Sequence, residues 1–390
     1  MNYKERIILL SNNLLSGILN SIYFVYPSFY HFNSSIYFFI VFISYFGSIL
    51  SSIIFGNIKV NGNNYIKWSL VGIAGPLLSI LFLFYPNTYL YIFSYLLFSF
   101  TYYSTYFVFL LYYKDVKLNF YFNIYWTIGE IIPQISLLFV SIMLNLYIIS
   151  ILLLLSILVV LSREIYMFLF TEAYELNLLV KIDKIFSQID HDISNFGTLV
   201  PLFEGLLYPI NIRKLKFGYI ELYNFFVLIG FSLVWSSLVF LVDKINLGNI
   251  YPLLLFINGL YTSIFYKIYK RTINNNNVNI GILSRLSMGV ILIIFSVIYS
   301  VLSIPINGII MTVLFILAAY SWTMFQFFFD NFIIIKYPEK FGNVYFFRNL
   351  GGMFGSIILL FISLFNGLIL SLAILGISIF FFRSYFKKVI

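Results

Sequence analysis

The sequence has no cysteine, two histidines and few charged residues, which make up only 9% of its 390 positions. Without cysteine, the chain forms no disulfide bonds and offers no thiolate as ligand or nucleophile. A soluble domain carries roughly 25% charged residues, so we expect most of this chain to face lipid or other apolar helices. The net charge of +9 comes from lysines and arginines scattered thinly along the chain, which argues against a nucleic-acid-binding surface.

Long apolar runs dominate the sequence instead. The chain is 62% hydrophobic with a mean hydropathy of +0.98, and a helix needs about 20 mostly apolar residues to cross a bilayer. The sequence therefore predicts an all-α membrane protein. Its twelve predicted transmembrane helices cover residues 7–29, 36–55, 65–85, 88–113, 119–143, 146–162, 219–241, 250–266, 280–302, 307–335, 343–365 and 367–382, with the last two separated at Asn366-Gly367.

The basic residues of the loops are concentrated on one side of the membrane. Of the lysines and arginines in loops, only Lys244, beside Asp243, lies on the opposite side of the membrane from the others by this helix count. Loops with an excess of lysine and arginine stay in the cytoplasm. The sequence therefore predicts that both termini are cytoplasmic and that the protein is a multi-pass protein of the cell membrane.

The chain divides into two halves of six helices. We predict an N-terminal bundle at residues 1–165, a cytoplasmic linker at 166–218 and a C-terminal bundle at 219–390. The linker contains "LVKIDKIFSQIDHDI", whose apolar residues recur at helical spacing and predict an amphipathic helix on the membrane surface or on the helix bundle.

The two halves share a weak internal similarity. "TIGEIIPQIS" aligns with "NLGGMFGSII", so that Gly129 matches Gly351 and Pro133 matches Gly355. Proline and glycine loosen a helix, and we expect these four residues to act as helix hinges. Duplicated six-helix halves are a known transporter architecture, with the substrate site at the midplane between them.

This organisation resembles the major facilitator superfamily over nearly the whole chain. The segment "YPEKFGNVYFFRNLGGMFGS" is similar to the family's start of the eleventh helix, whereas the loop "GNIKVNGNNYIK" keeps the family's glycines and basic residues but lacks its acid. The resemblance implies a monomeric secondary transporter that works by alternating access, without a cofactor. It assigns neither subfamily nor solute.

Glu130 is a carboxyl group within an apolar predicted helix. It lies about 16 Å along the helix from Asn119 at ~1.5 Å per residue, close to mid-bilayer. A carboxyl that is neutral in an apolar site and ionises when a water-filled cavity opens to it suits proton coupling. The alternative is a permanently protonated carboxyl bonded to a neighbouring helix as a structural link.

Three further charges lie at a similar depth in the second half. Arg285, Asp330 and Arg348 each lie about five residues, or roughly 8 Å, from the cytoplasmic ends of their helices. Such a cluster would satisfy its buried ions and could break when an inner gate opens. A static brace, or arginines reaching towards lipid headgroups, would place charges at the same positions.

Polar and aromatic residues near the midplane are candidates for substrate binding. No arginine or lysine is central by its depth along a helix, which favours a small neutral or amphipathic solute over phosphate or a dicarboxylate. Each amide could equally bridge two helices structurally. The candidates are Asn13, Asn20, Tyr23, Asn258, Trp322, Gln326 and Asn349.

The sequence contains no motif for catalysis, nucleotide binding or metal binding. It has no His-Glu-x-x-His pair, no phosphate-binding glycine loop with lysine and no candidate Ser-His-Asp set. We therefore expect a transporter coupled to protons through Glu130, not an enzyme, with a small solute, protons and the lipid bilayer as its partners. The alternative is a flippase for lipids or lipid-linked oligosaccharides, which would usually need a cationic cavity for a pyrophosphate.

Overall fold

The structure is a computed structural model. It describes residues 14, 16–23, 34–55, 75–76, 78–83, 87–113, 116–140, 218–247, 250–269, 276–337 and 340–386. These residues form helices joined by short turns, and no strand occurs among them. The labelled helices are α1 (Ser34–Phe55), α2 (Thr88–Tyr113), α3 (Val116–Val140), α4 (Tyr219–Lys244), α5 (Tyr251–Tyr269), α6 (Asn276–Ile298), α7 (Ile304–Trp322), α8 (Phe328–Lys336), α9 (Phe341–Phe361) and α10 (Leu364–Phe386), with a π-helical turn at Thr323–Phe327 between α7 and α8.

The helices follow the predicted apolar runs closely. Nine of the predicted spans fall on α1 to α10, with α7, the π turn and α8 together forming one of them. Residues 16–23 and 78–83 are helical inside two further predicted spans. The predicted helix at 146–162 and the linker at 166–217 lie outside the described residues, as does the amphipathic helix within that linker.

One predicted boundary is wrong. α9 ends at Phe361, and Asn366-Gly367 lies inside α10. The turn falls earlier because Ser363 begins the next helix: the amide of Asn366 donates to its Oγ at 3.3 Å, and the amide of Gly367 donates to its carbonyl at 2.9 Å. Serine at a helix start satisfies amides that have no partner within the helix.

Four segments of the described chain are long and apolar enough to cross a membrane: Tyr219–Val242, Val278–Ile298, Ile304–Ile333 and Gly342–Phe361. Large apolar side chains such as Ile294, Val297 and Ile309 are exposed on the outside of the bundle. A helix satisfies its own backbone hydrogen bonds, so such surfaces are stable in lipid. The chain is a multi-pass membrane protein.

The two halves meet along two helix pairs, α1 against α9 and α3 against α5. At the first contact the ring of Tyr45 fills the space where a Cβ of Gly352 would lie. At the second, a Cβ on Gly259 would lie 3.0 Å from Ile131. If the helices are numbered as predicted, these are the second with the eleventh and the fifth with the eighth, two contacts that exchange when the halves are interchanged.

The internal repeat is visible in the packing within each half. A Cβ on Gly129 would overlap the carbonyl oxygen of Leu14, and one on Gly351 would overlap that of Phe225. The matched glycines of α3 and α9 therefore each let their helix approach the first helix of its own half. Small residues at helix interfaces allow such close contact in membranes.

Candidate functional site

A cavity of about 310 Å³ lies between the two halves. Residues 16–23 and helices α1, α2 and α3 line it from the first half, and α4 to α7, the π turn and α9 line it from the second. Its size is at the lower end of small-molecule binding pockets, roughly 300–1,000 Å³. Because both halves line the cavity, any motion of one half relative to the other would change its shape.

Helix α3 presents one polar face to this cavity. Asn123, Thr127, Glu130 and Gln134 follow at intervals of four, three and four residues, and all four line the cavity. Positions three or four apart lie on the same side of a helix. These four residues therefore form a polar stripe on the cavity side of a largely apolar helix.

Glu130 is half-buried at the centre of this face. The amide of Asn20 donates to its Oε1 at 2.8 Å, and the side chain of Trp126, one turn earlier in α3, also bonds to the carboxyl group. Tyr95 donates in turn to the Oδ1 of Asn20 at 3.3 Å. Glu130 thus joins α3 to residues 16–23 and α2 through neutral hydrogen-bonding partners.

Arg285 lies on the opposite half and also lines the cavity. Its side chain is 3% exposed, and its guanidinium lies over the ring of Phe231, 4.5 Å from the ring centre. Its Nη1 is 3.6 Å from the sulfur of Met288. In the described chain it forms no salt bridge, so the predicted cluster of three charges forms only in part.

Asp330 and Arg348 form the other part of that cluster. Nη2 of Arg348 donates to Oδ1 of Asp330 at 2.6 Å, and Tyr345 donates to Oδ2 at 2.7 Å. Asp330 and Arg348 are 1% and 3% exposed. The pair links α8 to α9, and Arg348 also reaches the cavity wall. Its role as an inner gate stays a prediction.

The presence of Arg285 and Arg348 in the cavity corrects one step of the sequence argument. Counting residues from the helix ends places both near the cytoplasmic side, outside the centre. The folded helices bring both side chains into the wall of the cavity with Glu130. The expectation that no arginine lies at the site, which favoured a neutral or amphipathic solute over an anion, is therefore wrong.

Five of the seven candidate binding residues line the cavity: Asn20, Asn258, Trp322, Gln326 and Asn349. Tyr23 does not, because it is fully buried, bonded to Ser94 and stacked on Tyr95 at 4.7 Å between ring centres. Asn13 lies outside the described residues. A contribution of any of these residues to binding stays a prediction.

Two further amides on the wall, besides Asn20, are already hydrogen-bonded. Asn258 donates to the carbonyl of Phe315 at 2.8 Å, and Asn349 donates to the hydroxyl of Ser52 at 3.4 Å. The first bond joins α5 to α7, and the second joins α9 to α1. The side-chain nitrogens of these amides therefore connect helices in this state. Their side-chain oxygens are the atoms that we expect to accept hydrogen bonds from a solute.

The predicted hinge residues lie at helix contacts. Gly129 and Gly351 touch carbonyls of neighbouring helices, and a Cβ on Gly355 would lie 2.7 Å from the carbonyl of Ile229. α3 is continuous through Pro133, whose side chain is outside the described part of the structure. Close packing accounts for the three glycines, and bending at these four positions stays a prediction.

A π-helical turn interrupts the long helix that carries Trp322 and Gln326. It covers Thr323–Phe327 and therefore includes Gln326. Gly281 of α6 packs against this turn, because a Cβ there would lie 2.6 Å from the amide nitrogen of Phe325. π-helical turns are frequent at functional sites.

Sequence reasoning missed several wall residues, among them Asn123, Thr127, Gln134, Thr262 and Tyr266. The polar face of α3 was readable from its spacing around Glu130. Tyr266 was not, because it reaches the site by donating to Asn123 on α3 at 3.3 Å, a contact between halves. Among the described residues, no group of three or more histidine, cysteine or acidic side chains could hold a metal ion.

Neither a protein-family model nor a curated protein sequence matches the chain. Solved structures do match it along nearly its whole length. The xylose transporter XylE from E. coli, in a partially occluded inward-open conformation, has a TM-score of 0.64 at 11% identity, covering 98% of this chain and 97% of that one. The human organic anion transporter MFSD10 has a TM-score of 0.62 at 12% identity, covering 98% and 100%.

The nucleoside transporter NupG has a TM-score of 0.61 at 15% identity, with 99% of both chains covered. XylE is also described as a proton:xylose symporter of the major facilitator superfamily. At these identities the similarity concerns the fold. The chain has the fold of major facilitator superfamily transporters, as its resemblance in sequence implied.

Proposed function

We propose that this protein is a secondary active transporter of a small solute, coupled to protons through Glu130. The observation that carries the proposal is the carboxyl group of Glu130 in the wall of a cavity between helices that we assign to two halves of the chain. An ionisable residue inside a membrane protein is costly and marks an ion or substrate pathway.

Alternating access would move residues 1–165 against 219–390 around the cavity. The contacts of α1 with α9 and of α3 with α5 are where the halves would slide or separate. Glu130 on α3 lies close to the second of these contacts. Its access to water would therefore change with the same motion that opens the solute site.

The proton would bind to the carboxylate of Glu130. Within a closed cavity the neutral carboxyl group is favoured, and opening to water favours ionisation. Asn20 can stay bonded in both states, because its amide can donate to a carboxylate oxygen or, more weakly, to the carbonyl oxygen of a carboxylic acid. Protonation then needs no rearrangement of residues 16–23.

The Asp330–Arg348 pair is the proposed inner gate. It lies in the second half, beside α9, which contacts α1 of the first half. Opening on the cytoplasmic side would separate α9 from α1 and expose the pair to water, which weakens the attraction between the charges. We place the transporter in the cell membrane.

The structural neighbours support transport of a small solute but do not select one. Their names include xylose, nucleosides and organic anions as transported solutes. XylE is described as a proton symporter, which makes proton coupling reasonable on the same fold. The flippase alternative would use the arginines of the cavity wall, Arg285 and Arg348, to bind a pyrophosphate, but the neighbours are named for transport of small solutes.

The test is proton flux in proteoliposomes. Full-length protein would be reconstituted with a pH-sensitive dye inside, and xylose, uridine, 5-aminolevulinic acid and benzoate would be added in turn. We expect acidification of the lumen with the transported solute, and its loss in Glu130→Gln. The matched control is Glu221→Gln, which removes another buried carboxyl group that does not line the cavity.

Uptake of a labelled solute distinguishes the outcomes. If Glu130→Gln still takes up solute down its concentration gradient but no longer moves protons, Glu130 couples the two. If a pH gradient drives solute uptake by the variant as it does by the wild type, the role of Glu130 in coupling is wrong. If Glu221→Gln loses flux to the same extent, the loss reflects general destabilisation.

A further inference from the structure

The electrostatic environment of Arg285 is unusual for a buried cation. A guanidinium has five N–H donors, yet its described contacts are the ring of Phe231 and the sulfur of Met288. Its Nε has no hydrogen-bond partner among the described residues. An aromatic face and a thioether compensate a buried charge only in part, so this cation is suited to a further anionic partner.

Arg348 provides the comparison within the same cavity wall. It has its counter-ion in the chain, since Asp330 accepts its hydrogen bond at 2.6 Å and Tyr345 supports the same carboxylate. The pair is neutral as a unit. Of the two arginines of the cavity, Arg285 is the one whose charge the described chain leaves uncompensated by a salt bridge.

The remaining ionisable groups of the cavity determine its net charge. Glu130 lies on α3, and Tyr45, Tyr266 and Tyr345 contribute neutral phenols from α1, α5 and α9. Tyr45 also interacts electrostatically with Arg285. Among the described residues that line the cavity, the charges that remain apart from the neutral Asp330–Arg348 pair are those of Glu130 and Arg285.

These two charges give a simple balance. With Glu130 ionised, the empty cavity is neutral because its carboxylate offsets Arg285. With a proton on Glu130, one positive charge remains, and a bound monoanion would restore neutrality. A net charge in a membrane interior is costly. The two neutral states are therefore favoured: the cavity with neither proton nor anion bound, and the cavity with both bound.

The rest of the wall suits an apolar solute body. Phe98, Trp126, Phe231, Trp235 and Trp322 supply aromatic surface, and the volume of about 310 Å³ is that of a small molecule. A guanidinium matches a carboxylate or phosphate in a two-bond geometry. An aromatic or aliphatic body with one such group would use both parts of the cavity.

We propose, on the premise that the protein is a transporter as argued above, that its solute is an amphipathic organic monoanion whose carboxylate or phosphate group binds Arg285. The proton carried by Glu130 enters with this anion, so that one proton accompanies one negative charge. Of the neutral or amphipathic solute that the sequence favoured, this assignment keeps the amphipathic character and replaces the neutral charge.

Binding of matched acids and amides tests the proposal. The probes are benzoate, 3-phenylpropionate and cyclohexanecarboxylate, each with its primary amide, and phenyl phosphate to distinguish a phosphate from a carboxylate. The full chain would be placed in phosphatidylcholine nanodiscs without anionic lipid. Three of the four tryptophans line the cavity, so Trp68→Phe makes the tryptophan fluorescence report on the site alone.

We expect at least one acid to bind about tenfold or more tightly than its amide, since a charge-assisted bond exceeds a neutral one by at least that factor. In Arg285→Gln the acid should bind no better than the amide, and Arg285→Lys should restore part of the preference. The matched control is Lys244→Gln, which removes an exposed cation near an aromatic ring, Phe240, at 5.3 Å.

Three results would overturn the proposal: amides that bind as tightly as acids, an acid preference that survives Arg285→Gln, or a panel in which no acid binds. Loss of the preference in Lys244→Gln would do the same, because it would show a general effect of charge. Repeating the titration with phosphatidylglycerol in the nanodisc identifies a lipid headgroup as the anion if the acids are then displaced.

Uptake by proteoliposomes separates this inference from the proposed function. If the amides are transported and the acids are not, transport stands and the anion site fails. If the acids bind through Arg285 but are not transported, the anion site stands and the transport function fails. Unfolding temperatures of all variants in detergent show whether each variant still folds.

Discussion

The two halves of the cavity are built on one helix pattern but carry opposite charges. If α3 and α9 are aligned by their internal similarity, Asn123, Trp126 and Thr127 match Tyr345, Arg348 and Asn349, and all six line the cavity. The packing of the two helices is therefore repeated, whereas their chemistry is not. Duplication has preserved which positions face the site and left their residue types free to differ.

The largest difference lies at Glu130, whose matched position in the second half is Gly352. The space beside Gly352 is filled by the ring of Tyr45, so no second carboxyl group could lie there. The first half thus holds one acid among neutral partners, and the second half holds Arg285 and a closed ion pair. An acid without a fixed counter-ion can change its protonation, while a salt bridge holds its charges.

The greatest loss of stability is expected from breaking that ion pair. Asp330→Asn would leave Arg348 buried without its counter-ion, at a cost of about 3–5 kcal/mol. Unfolding in mixed SDS micelles would measure it. The double variant Asp330→Asn, Arg348→Met should regain much of the loss, because it removes both charges. A double variant less stable than Asp330→Asn would contradict the pair as the reason.

A second prediction tests whether the halves are equivalent in packing. Gly129→Val and Gly351→Val would each drive a side chain into the carbonyl of a neighbouring helix. Such overpacking costs about 1–3 kcal/mol, and we expect two similar losses in the same unfolding assay. Gly376→Val, at a glycine with open space around it, is the control. A loss at only one of the two matched glycines would argue against an equivalent role.

Much of the fold followed from the pattern of apolar residues. α2 begins and ends as predicted, at Thr88–Tyr113, because both ends coincide with a change in polarity. The turn before α10 was misplaced since Asn-Gly is a strong turn signal, whereas the cap by Ser363 depends on the local geometry. Composition finds the helices, and their exact ends depend on individual hydrogen bonds.

The site was only partly predictable because depth along a helix does not give its rotation. The sequence assigned Arg285 to a cluster with Asp330, whereas its side chain lines the cavity without a salt bridge in the described chain. The rotation of α6 follows from its packing, where Gly281 meets the π turn and Gly289 meets Leu372. The bond of Asn20 to Glu130 likewise joins residues 110 positions apart, and no local pattern indicates it.

A third prediction concerns the neutral partners of Glu130. Asn20→Leu would remove the amide that donates to its carboxylate and would leave the acceptor half-buried. The amide of Asn20 stabilises the ionised form of Glu130, so its loss favours the neutral acid. We therefore expect the proton flux in proteoliposomes to peak at higher pH than in the wild type. Asn349→Leu, which removes an amide on the other half, is the control. An unchanged pH profile in Asn20→Leu would contradict this coupling.

The smallest expected effect is that of the phenol on the ion pair. Tyr345→Phe would remove one hydrogen bond to Asp330 and leave the bond from Arg348 in place. A single bond to a charged group contributes about 1.5–3 kcal/mol, and rotation of Asp330 towards Arg348 should reduce the loss to the lower end. The unfolding assay used for Asp330→Asn measures it. A loss as large as that of Asp330→Asn would mean that Tyr345, and not Arg348, is the main partner of the acid, and the charge asymmetry between the halves would then rest on Arg285 alone.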